Sequence, residues 1–411
     1  ICSNQNTSSA AVTTPVSSNK NNRSNSLSVR EKPVPTDILA VKDSLLVIIK
    51  ALQTREIEAK KIGSMLTKCA NYQNSNYQDN FGLLPDPIPL REFDSPKLRD
   101  LRKLLEQEEQ LDPNDDNVEH FISQIDLEQL CLSMLNELPE LCYDYLGNTI
   151  VQKVFALVQS PLIKLMMVKE IAPFLTQLGI HKNGTWAIQK IINLCHHDFQ
   201  QMYLIGASLK PYSVKLFNDQ FGNYVLQGCL KFGTPFNDFI FEAILDNFLE
   251  ISFGRFGSRS IRTILENADS VFYILEEQFL LVAGLIVQFA NDLVVNSNGS
   301  LFITWFLDSF NSGAIDRYKL ISGKFLPHLN ELCCHKLANL TILKILNNRN
   351  DTSVKEAIMG EIFGKFDEFD EELSPVPSVL LENILSEKNE NTSGPVFIFK
   401  ILSNASLLSF G

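Results

Sequence analysis

Six short blocks of this chain repeat one pattern. They are Gly147-Asn148-Thr149-Ile150-Val151-Gln152, Gly184-Thr185-Trp186-Ala187-Ile188-Gln189, Gly222-Asn223-Tyr224-Val225-Leu226-Gln227, Gly257-Ser258-Arg259-Ser260-Ile261-Arg262, Gly299-Ser300-Leu301-Phe302-Ile303-Thr304 and Ala338-Asn339-Leu340-Thr341-Ile342-Leu343. Their first residues lie 37, 38, 35, 42 and 39 positions apart. Self-similarity at such a period indicates stacked supersecondary units, which grow in one dimension instead of closing a single core. A chain of 411 residues has room for two or three ordinary domains, but the repeat overrides that estimate.

Alternation of period two is almost absent, so the units are helical. Each has space for two or three helices of ordinary length. In the first, Leu127, Leu130, Leu135 and Leu138 mark one helix, and Asp144 to Val158 the next. The leading block position is always small and the fifth always aliphatic. The expectation is that the small residue lets helices of neighbouring repeats approach, while the aliphatic one anchors each helix inward. A seventh, weaker block is read at Pro377-Ser378-Val379-Leu380-Leu381-Glu382.

Composition divides the remainder. Residues 1–32 are Ser- and Asn-rich with few large apolar side chains and are read as disordered. Residues 33–117 are read as a helical extension or cap. Its stripes are Ile38, Leu39, Leu45, Leu46, Ile49 and Leu52, and then Leu98, Leu101, Leu104 and Leu105 after Ser95-Pro96. Repeats fill 118–385 and a C-terminal cap 386–411. The start, Ile1-Cys2-Ser3-Asn4, lacks a secretory leader and an initiator Met, so an internal fragment is expected. No apolar run approaches the roughly 18 residues that cross a bilayer. Eight scattered cysteines without a Cys-x-x-Cys suggest free thiols in a reducing, cytoplasmic setting, and no metal or other cofactor is expected.

Net charge is −12, which argues against a nucleic-acid partner until its distribution is considered. The acid lies in the flanks. Residues 141–270 carry 11 Lys/Arg against 10 Asp/Glu and are near neutral.

On a helix, residues i and i+4 share a face, so Asn223 and Gln227 point the same way. Each amide offers donors and an acceptor, and Tyr224 presents a ring beside them. Two amides can bond one base edge while an aromatic stacks on it, the logic by which helical repeats read single-stranded RNA. Gly-Asn before an apolar run also fits a plain helix N-cap, and an exposed Gln is commonly just solvated. Recurrence favours the first reading: Gln152, Gln189 and Gln227 share one register, and Trp186 and Tyr224 another.

Asp219-Gln220-Phe221-Gly222-Asn223-Tyr224-Val225-Leu226-Gln227 resembles the repeat signature of the Pumilio (PUF) family. The degenerate later blocks and Leu83-Leu84-Pro85-Asp86-Pro87-Ile88-Pro89-Leu90 resemble a divergent fungal branch. The resemblance covers about 119–385. It implies an all-α, right-handed solenoid, a crescent of six to seven three-helix repeats with helical caps at both ends, holding single-stranded mRNA on the concave face. It also implies that Asn148/Gln152 and Asn223/Gln227 match the uracil-reading pair and that Thr185/Gln189 approximates the adenine-reading pair. Stacking would fall to Thr149, Trp186, Tyr224 and Arg259. Ser258 with Arg262 departs from the pattern and suits cytosine or phosphate. Ser300/Thr304 and Asn339/Leu343 suit no base edge.

The implied element is U-A-U or U-A-A-U in 3′ untranslated regions, with factors of mRNA decay or translational repression as partners. So short an element gains from avidity, which a homodimer would supply. The rival reading is a HEAT- or armadillo-like protein scaffold, which leaves Trp186, Tyr224 and the three glutamines without a use. No catalytic arrangement stands out; the acidic run Asp367 to Glu372 reads as solvated surface.

Overall fold

The computed structural model describes residues 36–52, 61–64, 66, 77–111, 119–266, 274–309, 317–348, 352–364, 378–386 and 392–408. The segment 1–32, the run Asp367 to Glu372 and Pro377 lie outside them.

Each repeat consists of three helices. In the first these are Gln124–Met134, Leu138–Tyr143 and Gly147–Leu157. In the second they are Pro161–Ile171, Leu175–Ile180 and Gly184–Leu194. The third has Phe199–Leu209, Ser213–Asn218 and Gly222–Cys229. The fourth to sixth end in Arg255–Glu266, Ser297–Ser309 and Ala338–Leu346. First helices start at side-chain caps: Ser123, Ser160 and Asp198 accept the N–H of Asp126, Ile163 and Gln201. Such caps contribute about 1 kcal/mol each.

The elements form three rows, because helices of one kind pack on their counterparts in the next repeat. Val151, Ile188, Leu226, Ile261, Ile303 and Ile342 are all fully buried between rows, as the aliphatic pattern predicts. The small leading residue has a different role from the expected one. A Cβ on Gly147, Gly184, Gly257 or Gly299 would stand 2.6, 2.5, 2.1 or 2.3 Å from the carbonyl oxygen of Leu141, Leu178, Ile251 or Leu293. Those carbonyls belong to the second helix of the same repeat. The close approach therefore tightens the reversal within a unit; of these four, Gly257 also meets the preceding repeat, where its Cβ would stand 2.6 Å from Asn218 Oδ1.

The seventh unit also departs from its expected register. Val379–Leu385 packs on the second helix of repeat six and takes the second-helix place. The third-helix place belongs to Ser393–Leu402, which packs on Ala338–Leu346. Its Gly394 repeats the signature contact, with a Cβ 2.5 Å from Ile384 O. The longer spacing between Phe363 and Val379 displaces the period, so Ser378 falls in step with Asn339 only by count.

The N-terminal extension does more than cap. Ser95–Glu109, with Asp94 accepting the Lys97 N–H and Pro96 in its first turn, covers the third helix of repeat one. Ile38–Leu52 lies far along the stack, against Glu276–Gln288 of repeat five, where Leu45 and Ile49 pack over Gly284. Between these helices, residues 77–93 run back across successive repeats. Gln78 N–H donates to Pro211 O (2.7 Å), Phe81 lies beside Tyr212, and Tyr143 Oη donates to Pro85 O (3.3 Å). Ile88 N–H then donates to Glu140 (2.8 Å), and Phe93 N–H to Glu137 (3.2 Å). Arg91 lies within 3.9, 3.5 and 3.2 Å of Glu137, Glu140 and Asp144. The flanking acid is thus partly structural: buried carboxylates on the second helix of repeat one and just before it hold a strap.

Candidate nucleic-acid interface

In repeats one, two, three, five and six the reversal into the third helix is capped by the side chain of a residue three before the small one; repeat four has Gly254 there. Asp144 Oδ1 accepts the N–H groups of Leu146 and Gly147 (both 2.8 Å). Asp219 Oδ1 accepts those of Phe221 (2.8 Å) and Gly222 (2.7 Å), and Asn296 Oδ1 those of Asn298 (2.9 Å) and Gly299 (3.0 Å). His181 and His335 do the same through Nδ1, at 3.2 and 3.3 Å and at 3.3 and 3.3 Å. The block asparagine is therefore not the cap. Burial pushes the Asp144 carboxyl up, but the Gly147 N–H, Arg91 and the Leu146 N–H outweigh it, and its pKa ends below the ordinary value.

His181 and His335 are held below the ordinary 6.5, first by burial and then by Lys182 and Lys336. A protonated Nδ1 cannot accept, so each cap needs the neutral ring. Because the folded value lies below the unfolded one, these sites stabilise the fold fully above about pH 6.5. That contribution falls as pH drops through the unfolded value toward the folded one. The wild-type melting temperature should therefore decline between pH 7 and pH 5 more than that of His181→Asp/His335→Asp, which carries the residue found in repeats one and three. Equal declines in a thermal melt would refute this assignment.

Along each third helix the block positions separate by exposure. The second position is buried in every repeat: Asn148, Thr185, Asn223, Ser258, Ser300 and Asn339. The third position faces solvent at Trp186 (63% exposed), Tyr224 (42%), Arg259, Leu301 and Leu340, while Thr149 is half-buried. The sixth position (Gln152, Gln189, Gln227, Arg262, Thr304 and Leu343) is half-buried throughout. The row of amides is neither sealed inside nor scattered.

Hydrogen bonds modify the sequence picture of two freely offered amides. Asn148 Nδ2 donates to Asp144 O (2.8 Å) and Tyr145 O (2.9 Å), and Asn223 Nδ2 to Asp219 O (2.8 Å) and Gln220 O (3.0 Å). Their oxygens accept from Gln152 (3.2 Å) and Gln227 (3.1 Å). Gln189 Nε2 donates to Thr185 Oγ1 at 2.8 Å. The second position therefore orients the glutamine, and the glutamine presents the outward polar edge.

Repeat four differs. Ser258 Oγ donates to Arg255 O (3.3 Å), and the Arg262 guanidinium lies 5.1 Å from the Trp305 ring centroid and 3.8 Å from Glu266. Sequence reasoning missed Trp305, whose position in the other third helices is held by Lys153, Lys190, Gly228, Thr263 and Lys344. It also missed an exposed row two residues before each leading small residue: Tyr145, Lys182, Gln220, Arg255, Ser297 and Lys336. Aligning the blocks a few residues further upstream would have shown three cations at alternate repeats. The buried thiols take no part; burial pushes Cys131, Cys142, Cys195 and Cys333 up to about 12.

Comparison with known proteins agrees with this geometry. The model of the Pumilio-family RNA binding repeat matches residues 175–205, 218–245 and 247–271. Protein JSN1 of Saccharomyces cerevisiae is 40% identical over 371 residues, which is 90% of this chain and 32% of that protein. The mRNA-binding protein PUF2 of the same yeast is 40% identical over 86% of this chain and 31% of its own length. The chain thus spans about a third of these relatives. The crystal structure of the PUM-HD domain of Schizosaccharomyces pombe Puf1 in complex with RNA superposes with a TM-score of 0.72 and 35% identity, covering 91% of this chain and 89% of that one. A Puf4 RNA-binding domain bound to a 3′ UTR recognition sequence shares the fold, with a TM-score of 0.55 at 20% identity over 77% of this chain and 88% of that one. With its three-helix units, its tightly reversed third helices and a relative similar along nearly its whole length, the chain belongs to the Pumilio family.

Proposed function

We propose that this chain binds single-stranded mRNA in a sequence-specific manner at a short U/A-rich element, U-A-U or U-A-A-U, in 3′ untranslated regions. The observation that carries the reading is one surface row. Gln152, Gln189 and Gln227 each turn an amide edge outward beside the exposed rings of Trp186 and Tyr224. A base stacked on such a ring contributes about 1–3 kcal/mol, and an amide edge discriminates among bases. Gln189 spends one amide hydrogen on Thr185 and keeps one N–H with Oε1, complementary to adenine N1 and N6–H. Repeats five and six present Leu301 and Leu340 in place of rings and have no amide at Thr304 or Leu343, so reading is confined to the first repeats.

Repression or decay of the bound message, in the cytoplasm, is the consequence proposed. Its support is the family and the mRNA-binding description of the PUF2 relative.

A fluorescence-anisotropy titration tests the reading. An RNA containing U-A-A-U should bind at least tenfold more tightly than the same RNA with both uracils replaced by cytosine, by the discrimination of a bidentate contact. Equal binding would leave only a nonspecific RNA surface, and no binding to either would favour the protein scaffold.

A further inference from the structure

The hydrogens around Gln227 can be traced from both ends. The Asn223 amide donates to two backbone carbonyls, which only accept, so its Oδ1 faces Gln227. Gln227 Nε2 donates to that oxygen at 3.1 Å and to Ser260 Oγ at 3.2 Å. Ser260, fully buried in the third helix of repeat four, gives its one hydroxyl hydrogen to Phe256 O at 2.9 Å. It therefore meets Gln227 with lone pairs only. Both Nε2 hydrogens are used, and the direction of every bond is set by backbone carbonyls. Gln227 Oε1 has no protein donor among the described residues and is the group left for a ligand.

Repeats one and two are less constrained. Gln152 and Gln189 each spend one hydrogen, and the place of Ser260 in the following repeat is held by Ala187 and Val225. Ile150, Ala187, Val225 and Phe302 hold this position as apolar core; a hydroxyl recurs only at the buried Thr341, whose preceding repeat offers Thr304 instead of an amide.

We propose that Ser260 is a positioning residue for base selection by the preceding repeat: it holds Gln227 as a pure acceptor and makes repeat three discriminate uracil from cytosine more strictly than repeat one. The inference rests on the RNA reading above. Uracil carries a donor, N3–H, at the middle of its pairing edge; cytosine carries a bare lone pair there. Turning the Gln227 amide over to meet cytosine would set its oxygen against both Asn223 Oδ1 and Ser260 Oγ. In repeat one the same rotation opposes a single acceptor, Asn148 Oδ1.

The test measures the ratio of dissociation constants for cytosine and uracil at each uracil of a U-A-U RNA, the 5′ base facing repeat three and the 3′ base repeat one. Ser260→Ala should lower the ratio at the 5′ base about three- to tenfold, the scale of one hydrogen bond. It should leave the ratio at the 3′ base nearly unchanged, which a general loss of structure would not do. Conversely, Ala187→Ser supplies Gln152 with a second acceptor and should raise the ratio at the 3′ base. An unchanged 5′ ratio in Ser260→Ala overturns the proposal, as does an unchanged 3′ ratio in Ala187→Ser should the first variant lose helicity. A wild-type chain with no preference at either base would instead overturn the RNA reading beneath it.

Discussion

Trp186→Ala should weaken binding of a U-A-U RNA by about 1–3 kcal/mol, roughly 5- to 150-fold, the worth of one base–aromatic stack. The indole is 63% exposed, so little core is lost with it, and the melting temperature should stay within a few degrees. Tyr224→Ala should act likewise, to a smaller extent because part of its ring is already covered. Both losses should persist when the facing base is changed, since every base has a π-face; this separates stacking from the edge contact of the glutamines. Anisotropy titrations at one fixed salt concentration measure them, because contacts to phosphate make affinity salt-dependent. Unchanged affinity in both variants would mean that RNA, if bound, does not lie along this row.

The second large effect concerns stability. Arg91→Ala should destabilise the fold by about 3–5 kcal/mol, the usual result of stranding buried charge. Glu137 and Glu140 are 8% and 10% exposed at the side chain, and Arg91 is the cation beside both. They would remain to face each other and Asp144, with the strap N–H groups of Ile88, Glu92 and Phe93 as their donors among the described residues. Since Asp144 also caps the third helix of repeat one, loosening this cluster should weaken RNA binding at repeat one before repeat three. Urea denaturation checks the first outcome: a midpoint equal to wild type would show that the strap bonds hold the acids without Arg91.

The sequence signal for the repeats was strong because each unit makes mostly local contacts and contacts with its neighbours, so the same physical demand returns at a fixed spacing. The small residue at Gly147, Gly184, Gly257 and Gly299 and the aliphatic position at Val151, Ile188, Leu226 and Ile261 follow from the geometry of one unit. The role of that glycine was misjudged because spacing reveals that a close approach exists, not which helix makes it. The seventh repeat was misplaced because a longer connection shifts Gly394 out of period.

Sequence alone determined the all-helical repeating architecture, the inward aliphatic position of each block and the row on which glutamines and rings meet; that the second position is buried emerged only from the structure. These are properties of a helix with its own neighbours in the chain. Only the tertiary structure decided which hydrogens remain for a ligand, since the donors and acceptors that saturate Asn223 and Gln227 include Ser260, 33 residues on. It also decided the path of the N-terminal strap, whose bonds join residues 44 to 133 positions apart, and the stacking of Arg262 on Trp305. Such contacts recur at no period, and a hydrogen bond's direction depends on what occupies both its ends.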